Sequence, residues 1–170
     1  MNTPYGNAIT TAEHAIAMML ALARQIPQAS QSTKAGKWEK YRFMGTELTG
    51  KCLGLVGCGN IGSIVADRAQ GLRMRVVGYD PYLSEENAKR MGVEKVDLDE
   101  LLRRADFISI HTPMPAATRN IIGADALNKT KKGVRIINCA REVLSMNWHW
   151  RRHCKLAMWP VRRLMCLCRN

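Results

Sequence analysis

Three glycines in the segment Gly57-Cys58-Gly59-Asn60-Ile61-Gly62 come directly after the apolar run 52–56. The residues from Ile61 to Gln70 have a helical pattern, and Asp80 closes the next apolar run, about 20 residues beyond the glycines. Glycine-rich turns are common by themselves. The order of strand, glycine turn, helix and acid is much rarer, and it is typical of a βαβ unit that binds a dinucleotide.

Each of the three glycines has a separate task in such a unit. Gly57 permits the tight turn, Gly59 lets backbone N–H groups reach the pyrophosphate, and Gly62 lets the helix pack closely on the strand. The phosphates would then lie at the start of the helix, at Asn60 and Ile61. The unpaired N–H groups and the positive end of the helix dipole favour an anion there.

Asp80 indicates which dinucleotide to expect. A carboxylate at the end of the second strand accepts hydrogen bonds from the ribose hydroxyls and would repel a 2′-phosphate. Pro81 and Tyr82 follow it, and neither is basic. We therefore predict NAD rather than NADP. The alternative is that Asp80-Pro81 only begins a turn.

Length and charge limit the classes of partner. The chain has 170 residues, which suits one domain, and 46% of them are hydrophobic. Its formal net charge is +12, but residues 142–170 hold six Lys and Arg against one acid, and the remaining charge is scattered. No nucleic-acid recognition motif accompanies this charge, so we expect no nucleic-acid partner.

The same composition argues against membranes and disulfides. No stretch approaches the ~20 apolar residues of a membrane span, and the N-terminus lacks the order of a signal peptide. We therefore expect no membrane partner and a cytoplasmic location. In that compartment the six cysteines stay reduced.

Helical and strand patterns alternate along the chain. Thr10-Thr11-Ala12-Glu13 resembles a capping box and predicts a helix from about Thr11 to Arg24. This helix is apolar nearly all round, with one face formed by Ile16, Met19, Leu20 and Ala23, so we expect another domain or a second subunit to cover it. Further helices are predicted at about 31–38, 61–70, 84–91, 98–104 and 124–131, and strands at 52–56, 74–79, 93–96, 107–111 and 134–138. This alternation predicts an α/β fold with a doubly wound parallel sheet.

In such a sheet the ligand lies beyond the carboxyl ends of the strands, so the residues just after each strand are the candidates. The cofactor-binding residues predicted in this way are Gly57, Gly59, Asn60, Ile61, Gly62, Asp80, His111, Thr112, Pro113, Asn138, Cys139 and Ala140. Pro113 fixes a turn that exposes Thr112 toward the cleft, although an ordinary turn explains the pair equally well.

Arg141 is the candidate for substrate binding. It places a permanent cation after an apolar strand, where a carboxylate could be held bidentately; a surface salt bridge is the alternative. His14 and His111 have no identifiable carboxylate partner, so a structural role is favoured over general-base catalysis for both.

Five segments together resemble the D-isomer-specific 2-hydroxyacid dehydrogenases: residues 2–7, 12–14, 55–62, 111–113 and 137–141. The resemblance covers residues 1–141 in the order of the family. It implies NAD-dependent hydride transfer between a 2-hydroxy acid and its 2-keto acid. In that family the Arg matching Arg141 binds the substrate, and a Glu–His pair further along supplies the proton. The resemblance also implies an isolated NAD-binding domain without the substrate domain, and a homodimer formed through this domain.

Residues 142–170 depart from the family. Its pattern continues with Gly-Gly-Leu-Val-Asp-Glu, whereas this chain continues with Glu142 and Val143, so the catalytic Glu and His are missing. Three of the four Trp and three of the six Cys also lie after residue 141. A reading frame shifted by one base permits the expected continuation. We therefore interpret residues 142–170 as an out-of-frame, poorly ordered basic tail, and residues 1–141 as an NAD-binding domain incomplete at its C-terminal end.

Two alternatives remain open. A metal site could be built from His149, His153, Cys154, Cys166 and Cys168, but Cys-Leu-Cys is not the usual ligand spacing, and we expect no metal. A non-catalytic dinucleotide-binding or dimerisation module, or a gene remnant, is the alternative to an oxidoreductase. Whether the chain belongs to an oxidoreductase or is a non-catalytic module, we expect it to be inactive by itself.

Overall fold

The computed structural model describes residues 6–112 and 121–140, together with the backbone of one further strand at Leu164–Cys166. Its helices are α1 (Ala8–Arg24), α2 (Ile26–Lys34), α3 (Asn60–Gly71), α4 (Glu85–Arg90), α5 (Leu98–Arg104) and α6 (Ala124–Asn128). Its strands are β1 (Cys52–Val56), β2 (Arg75–Tyr79), β3 (Glu94–Lys95), β4 (Phe107–Ile110), β5 (Arg135–Asn138) and β6 (Leu164–Cys166). A 3-10 turn spans Lys40–Phe43.

Within the described residues, the strands form one parallel sheet in the order β3-β2-β1-β4-β5-β6. Val56 pairs with both Tyr79 and Ile110, and Ile110 pairs with Asn138, so four strands end at the same edge. The chain moves outward from β1 to β3 and then returns to the other side of β1 at β4. This reversal opens a crevice at the carboxyl edge, and the predicted doubly wound sheet is confirmed.

Apolar helix faces cover both sides of the sheet. On one side α1 and α3 pack with Leu53, Leu55 and Phe107, and on the other side α5 packs with Ile108 and Ile110. A parallel strand that is buried on both faces has a continuous apolar run in its sequence. β1 is such a strand, since all five of its residues are buried. At Gly54, an added Cβ would lie only 2.6 Å from a methyl carbon of Leu101, so glycine lets α5 approach β1 closely.

The first two helices differ from their predicted positions. Helix α1 begins at Ala8, and Asn7 precedes it without a side-chain capping bond, so Thr10 and Thr11 lie inside the first turn and form no capping box. Helix α2 begins five residues before the predicted position, because Pro27 in its first turn favours a helix start. Gly36, with φ of +74°, follows the end of this helix.

Helix α1 is covered on one side by the chain itself. Met18, Met19 and Leu22 are buried, and the helix contacts α3 and β5. Ile16 and Leu20, predicted to belong to the central face, are only partly buried, and Ile9 is 58% exposed. An apolar strip of α1 therefore remains open to solvent.

Strand β6 was not predicted from the sequence. It lies in the segment interpreted as a poorly ordered tail, and it pairs parallel with β5 from Ile136–Leu164 to Asn138–Cys166. Elsewhere the predicted strands are confirmed to within one residue at each end, and helix α6 ends three residues early. Among the helices of the described residues, none is long and apolar enough to cross a membrane.

Candidate dinucleotide site

The turn after β1 requires glycine at its first position. Gly57 has φ of +97°, a conformation that side chains rarely tolerate. An added Cβ would also lie 2.8 Å from the carbonyl carbon of His111 and 2.9 Å from Cγ2 of Thr112. The turn therefore lies directly against the chain that leaves β4.

The other two glycines of the motif face different surroundings. A Cβ on Gly62 would overlap the carbonyl oxygen of Gly57, so the first turn of α3 packs tightly on the loop. A Cβ on Gly59 would meet no atom within 4 Å. The loop is consequently closed toward the protein and open at Gly59, where a ligand could approach the backbone.

Helix α3 begins at this loop. It runs for 12 residues from Asn60, and Gly59 precedes it without a side-chain capping bond. Its first-turn N–H groups therefore have no side-chain acceptor, and they add to the positive end of the helix dipole. This arrangement attracts phosphate groups.

Asp80 follows β2 and is bonded to the glycine loop. Its Oδ2 accepts the N–H of Cys58 at 2.9 Å, and its Oδ1 accepts the N–H of Tyr82 at 2.9 Å. A carboxylate has about four acceptor positions, so these bonds orient the group and leave room for two hydroxyl donors. Burial, with Asp80 adding to it, raises the pKa of the Cys58 thiol to about 12, which keeps this thiol neutral.

A cavity of about 310 Å³ opens beside Asp80, between the start of α3 and helix α4. Its polar wall carries Asn60, Ser63, Asn87 and Arg90 in addition to Asp80. We call this space the Asp80 cavity.

Two buried polar atoms follow β4. The Oγ of Ser109 lies 2.8 Å from Nε2 of His111, and burial lowers the pKa of His111 to about 4, so its ring is neutral at pH 7. Within the described residues, His111 Nδ1 and Thr112 Oγ1 are buried without a hydrogen-bond partner. A buried polar atom normally has a hydrogen-bond partner, so these two atoms are candidate contacts for a ligand.

The residues after β5 form a short fixed turn. Asn138 is fully buried, and its Oδ1 accepts the N–H of Ala140 at 3.0 Å. Cys139 between them is partly exposed. The structure thus brings eleven of the predicted residues to one edge of the sheet, in the groups 57–62, 80, 111–112 and 138–140, and Pro113 and Arg141 lie outside the described residues.

Residues 16–145 match the family described as D-isomer specific 2-hydroxyacid dehydrogenase, NAD binding domain. The chain belongs to this family. The predicted resemblance and the prediction of NAD as the family's cofactor are confirmed.

Curated relatives cover most of the chain. D-3-phosphoglycerate dehydrogenase of Archaeoglobus fulgidus is 50% identical over 141 residues, or 83% of this chain and 27% of the relative. The enzyme of the same name from Homo sapiens is 48% identical over 83% of this chain and 26% of its own length. The chain therefore spans about a quarter of the length of these relatives.

Solved structures share the fold. The apo-structure of D-lactate dehydrogenase from Escherichia coli is 32% identical, with a TM-score of 0.88 over 97% of this chain and 51% of that protein. The D-lactate dehydrogenase of Aquifex aeolicus, solved with NAD and lactic acid, is 29% identical, with a TM-score of 0.87 over 97% of this chain and 49% of its own.

Two features of this NAD-binding domain were not predicted from the sequence. Ser109 lies within strand β4 rather than after it. Its hydroxyl in an otherwise apolar run could have indicated a polar contact there. Arg90 lies in the last turn of α4, ten residues beyond Asp80, and only the folded helix brings it to the Asp80 cavity.

Proposed function

We propose that NAD lies across the carboxyl edge of the sheet, with its adenosine half beside β2 and its nicotinamide half beside β4 and β5. The loop from Gly57 to Gly62, including Asn60 and Ile61, holds the pyrophosphate. Asp80 accepts the hydroxyls of the adenosine ribose. The nicotinamide side is lined by His111, Thr112, Asn138, Cys139 and Ala140, with Pro113 next to them in the chain.

The bond from the Cys58 N–H to Asp80 carries this proposal. It joins the acid and the glycine loop, which are 22 residues apart in the chain, into one surface. The surroundings fit a dinucleotide: Gly59 is open on the ligand side, and the partnerless atoms Nδ1 of His111 and Oγ1 of Thr112 lie on the nicotinamide side of β1. When bound, NAD supplies a hydride acceptor, and these residues bind and orient it.

We extend the proposal to the reaction of the whole enzyme. It is oxidation of a 2-hydroxy acid to its 2-keto acid, with 3-phosphoglycerate as substrate, in serine biosynthesis. The support is the name that relatives at about half identity share. Arg141, directly after the turn at Ala140, is proposed to hold the substrate carboxylate through a bidentate contact.

For this chain alone we propose NAD binding without turnover. Residues 142–147 carry other side chains where the family continues toward its Glu–His pair, so no group is assigned to move the proton. The second candidate function is a non-catalytic dinucleotide-binding module. Such a module would also bind NAD without turnover. The out-of-frame interpretation of residues 142–170 is a proposal that sequencing the coding DNA tests.

The proposed partner is a second copy of the chain. The open strip of α1, formed by Ile9, Ile16 and Leu20, is an apolar surface that a dimer contact would cover. We also propose a cytoplasmic location. The buried thiols of Cys52 and Cys58, which form no disulfide, suit its reducing conditions.

The test is calorimetric titration of NADH into the chain. Saturable binding is expected, and Asp80→Ala should weaken it by about tenfold or more, because the ribose loses its acceptor. Asp67→Ala is the matched control. It removes an exposed acid of α3 that already pairs with Arg68, and it should leave binding unchanged.

Two results would contradict the proposal. Absence of saturable binding by a folded sample would refute the NAD site, and equal binding by Asp80→Ala would refute the role of Asp80. Separately, NADH production from 3-phosphoglycerate by the purified chain would refute the proposed lack of turnover.

A further inference from the structure

Ser109 places a hydroxyl group inside the core of the sheet. It is 2% exposed, and its neighbours on β1 and β5, Leu55 and Ile137, are fully buried apolar residues. Side chains two residues apart in a strand face the same side, so Ser109 and His111 share one face of the sheet. A hydroxyl in apolar surroundings costs free energy unless it has a hydrogen-bond partner. Among the described residues, that partner is Nε2 of His111, at 2.8 Å.

His111 is held both at its backbone and at its ring. Its backbone N–H donates to the carbonyl of Val56 at 2.8 Å, just beyond the end of β4. The contact with Ser109 then fixes the ring itself. The other ring nitrogen, Nδ1, is buried and has no partner within the part of the chain that the structure describes. Burial also lowers the pKa of His111 to about 4, so the ring is neutral at pH 7.

The two tautomers of a neutral His111 differ in how many buried groups they leave unpaired. If Nε2 carries the proton and donates to Ser109, the hydroxyl hydrogen of Ser109 has no acceptor and Nδ1 is an empty acceptor. If Nδ1 carries the proton, the hydroxyl donates to Nε2, and only the Nδ1–H group remains unpaired. Each unpaired buried group is costly, so the tautomer with the proton on Nδ1 is favoured.

We propose that Ser109 is a positioning residue, which holds His111 in the Nδ1–H tautomer so that this group donates a hydrogen bond to the nicotinamide half of NAD. This inference rests on the proposed NAD site, since it assumes that the nicotinamide half lies beside β4. A donor requires an acceptor. That half of the cofactor offers two kinds of neutral oxygen, those of the ribose and that of the nicotinamide carboxamide.

The surroundings of His111 fit such a contact. An added Cβ on Gly57 would lie 2.9 Å from the carbonyl oxygen of His111, so this residue lies against the first turn of the glycine loop. His111 also follows the carboxyl end of β4, where ligands of such sheets bind. A neutral donor suits a neutral oxygen, because burying a charged ring there would cost more free energy.

Heteronuclear NMR of the histidine rings tests the tautomer directly. In the isotope-labelled full chain at pH 7, the signals of His111 should be those of a neutral ring with its proton on Nδ1, and their loss in His111→Gln assigns them. Ser109→Ala should shift the population toward the Nε2–H form. Ser109→Thr, which keeps the hydroxyl, should restore the Nδ1–H form. An Nε2–H ring in the unaltered chain, or an unchanged tautomer in Ser109→Ala, would overturn the proposal.

The same spectra identify the oxygen that accepts the bond. Saturating NADH should shift the Nδ1–H signal of His111. ADP-ribose has the second ribose but no nicotinamide, so it should give the same shift if a ribose oxygen accepts the bond and none if the carboxamide does. ADP has neither group and should leave the signal in place. A shift caused by ADP, or no shift when NADH is bound, would overturn the contact.

Calorimetric titration of NADH measures how much the contact contributes to binding. His111→Gln can keep a hydrogen bond to Ser109 but has no Nδ1 donor, so its NADH affinity should fall about tenfold. Ser109→Ala should lower the affinity about fivefold, and Ser109→Thr should recover most of this loss. Thr130→Ala is the matched control. It removes another buried hydroxyl, which donates to the carbonyl of Leu127 at 2.8 Å, and it should change neither the affinity nor the His111 signals.

The remaining outcomes separate this proposal from the NAD site itself. If the unaltered chain binds no NADH, both proposals fail. If NADH binds, and folded His111→Gln or Ser109→Ala binds it equally well, only the positioning role fails. Should Ser109→Ala unfold, the spectra of the unaltered chain with the three ligands and the His111→Gln titration still decide the question, because neither needs that variant.

Discussion

Gly59 and Gly62 belong to one motif, but the structure gives them opposite surroundings. Gly62→Ala forces a methyl group against the carbonyl of Gly57, so it should lower the free energy of unfolding by roughly 2 kcal/mol and weaken NADH binding. Gly59→Ser enters open space and supplies a favourable N-cap for α3. It should leave the free energy of unfolding within about 0.5 kcal/mol and weaken NADH binding about tenfold.

Urea denaturation and NADH titration of both variants test this difference. Equal destabilisation by the two substitutions would contradict the assigned surroundings. Normal NADH binding by Gly59→Ser would contradict the approach of the pyrophosphate to this side of the loop.

His111 should make the stability of the domain depend on pH. The unfolded chain takes up a proton near the ordinary value of 6.5, whereas burial holds the pKa of the folded His111 at about 4. The unfolded state therefore binds more protons between these values, and stability present above pH 6.5 is lost as the pH falls toward 4. Between pH 7.5 and pH 5 this loss should be roughly 2 kcal/mol.

Substitution isolates this contribution from those of other groups. His111→Gln can keep a hydrogen bond to Ser109 and has no titrating ring. Between pH 7.5 and pH 5 its free energy of unfolding, measured in urea, should therefore fall by roughly 2 kcal/mol less than that of the unaltered chain. A His111→Gln variant with the full pH dependence would show that His111 is not buried as a neutral ring.

Helix α1 stabilises the domain through one face only. Met19 is 2% exposed within the cluster that joins α1 to α3 and the sheet, so Met19→Ala should cost about 3 kcal/mol of unfolding free energy. Ile9→Ala, at a position 58% exposed, should change it by less than about 0.5 kcal/mol in dilute solution. Urea denaturation of both variants measures these losses of unfolding free energy. Similar losses in the two variants would contradict this packing.

The elements differ in how far the sequence could predict them. β1, β4 and β5 are short apolar runs bounded by turns, and their short length together with the flanking turn residues predicts strands rather than helices. The start of α1 was misplaced because Thr10-Thr11 has capping chemistry in a position where the helix had already begun. β6 could not be predicted because its pairing with β5 is a contact across the fold, and its segment has no family pattern.

The same distinction applies to the candidate site. Gly57 and Asp80 were predictable, because the positions of a turn glycine and of an acid at a strand end follow from spacing along the chain. The cavity at Arg90 and the contact between Ser109 and His111 depend on how α4 and β4 sit in the folded domain. Residues that act through tertiary contacts leave little trace in spacing.

At the scale of the whole molecule, β6 covers the edge of the sheet that β5 would otherwise expose. β5 pairs with β4 on one side and with β6 on the other, through Ile136, Ile137 and Asn138. A chain ending at Arg141 would lose β6 and expose the N–H and C=O groups of that edge. Its formal net charge would also fall from +12 to +7, because the removed tail has six basic residues and one acid. Exposed strand edges and reduced charge both favour association.

We therefore expect the chain 1–141 to unfold at lower urea concentration and to associate as its concentration rises in light scattering. Its NADH affinity per folded molecule should stay within about threefold, since the proposed contacts lie at residues 57–62, 80, 111–113 and 138–140. A chain lacking only residues 167–170 keeps β6 and is the matched control. If 1–141 is as stable and as dispersed as this control, β6 does not protect the edge, as expected of a poorly ordered tail. Loss of NADH binding by folded 1–141 would instead show that the cofactor site depends on residues beyond Arg141.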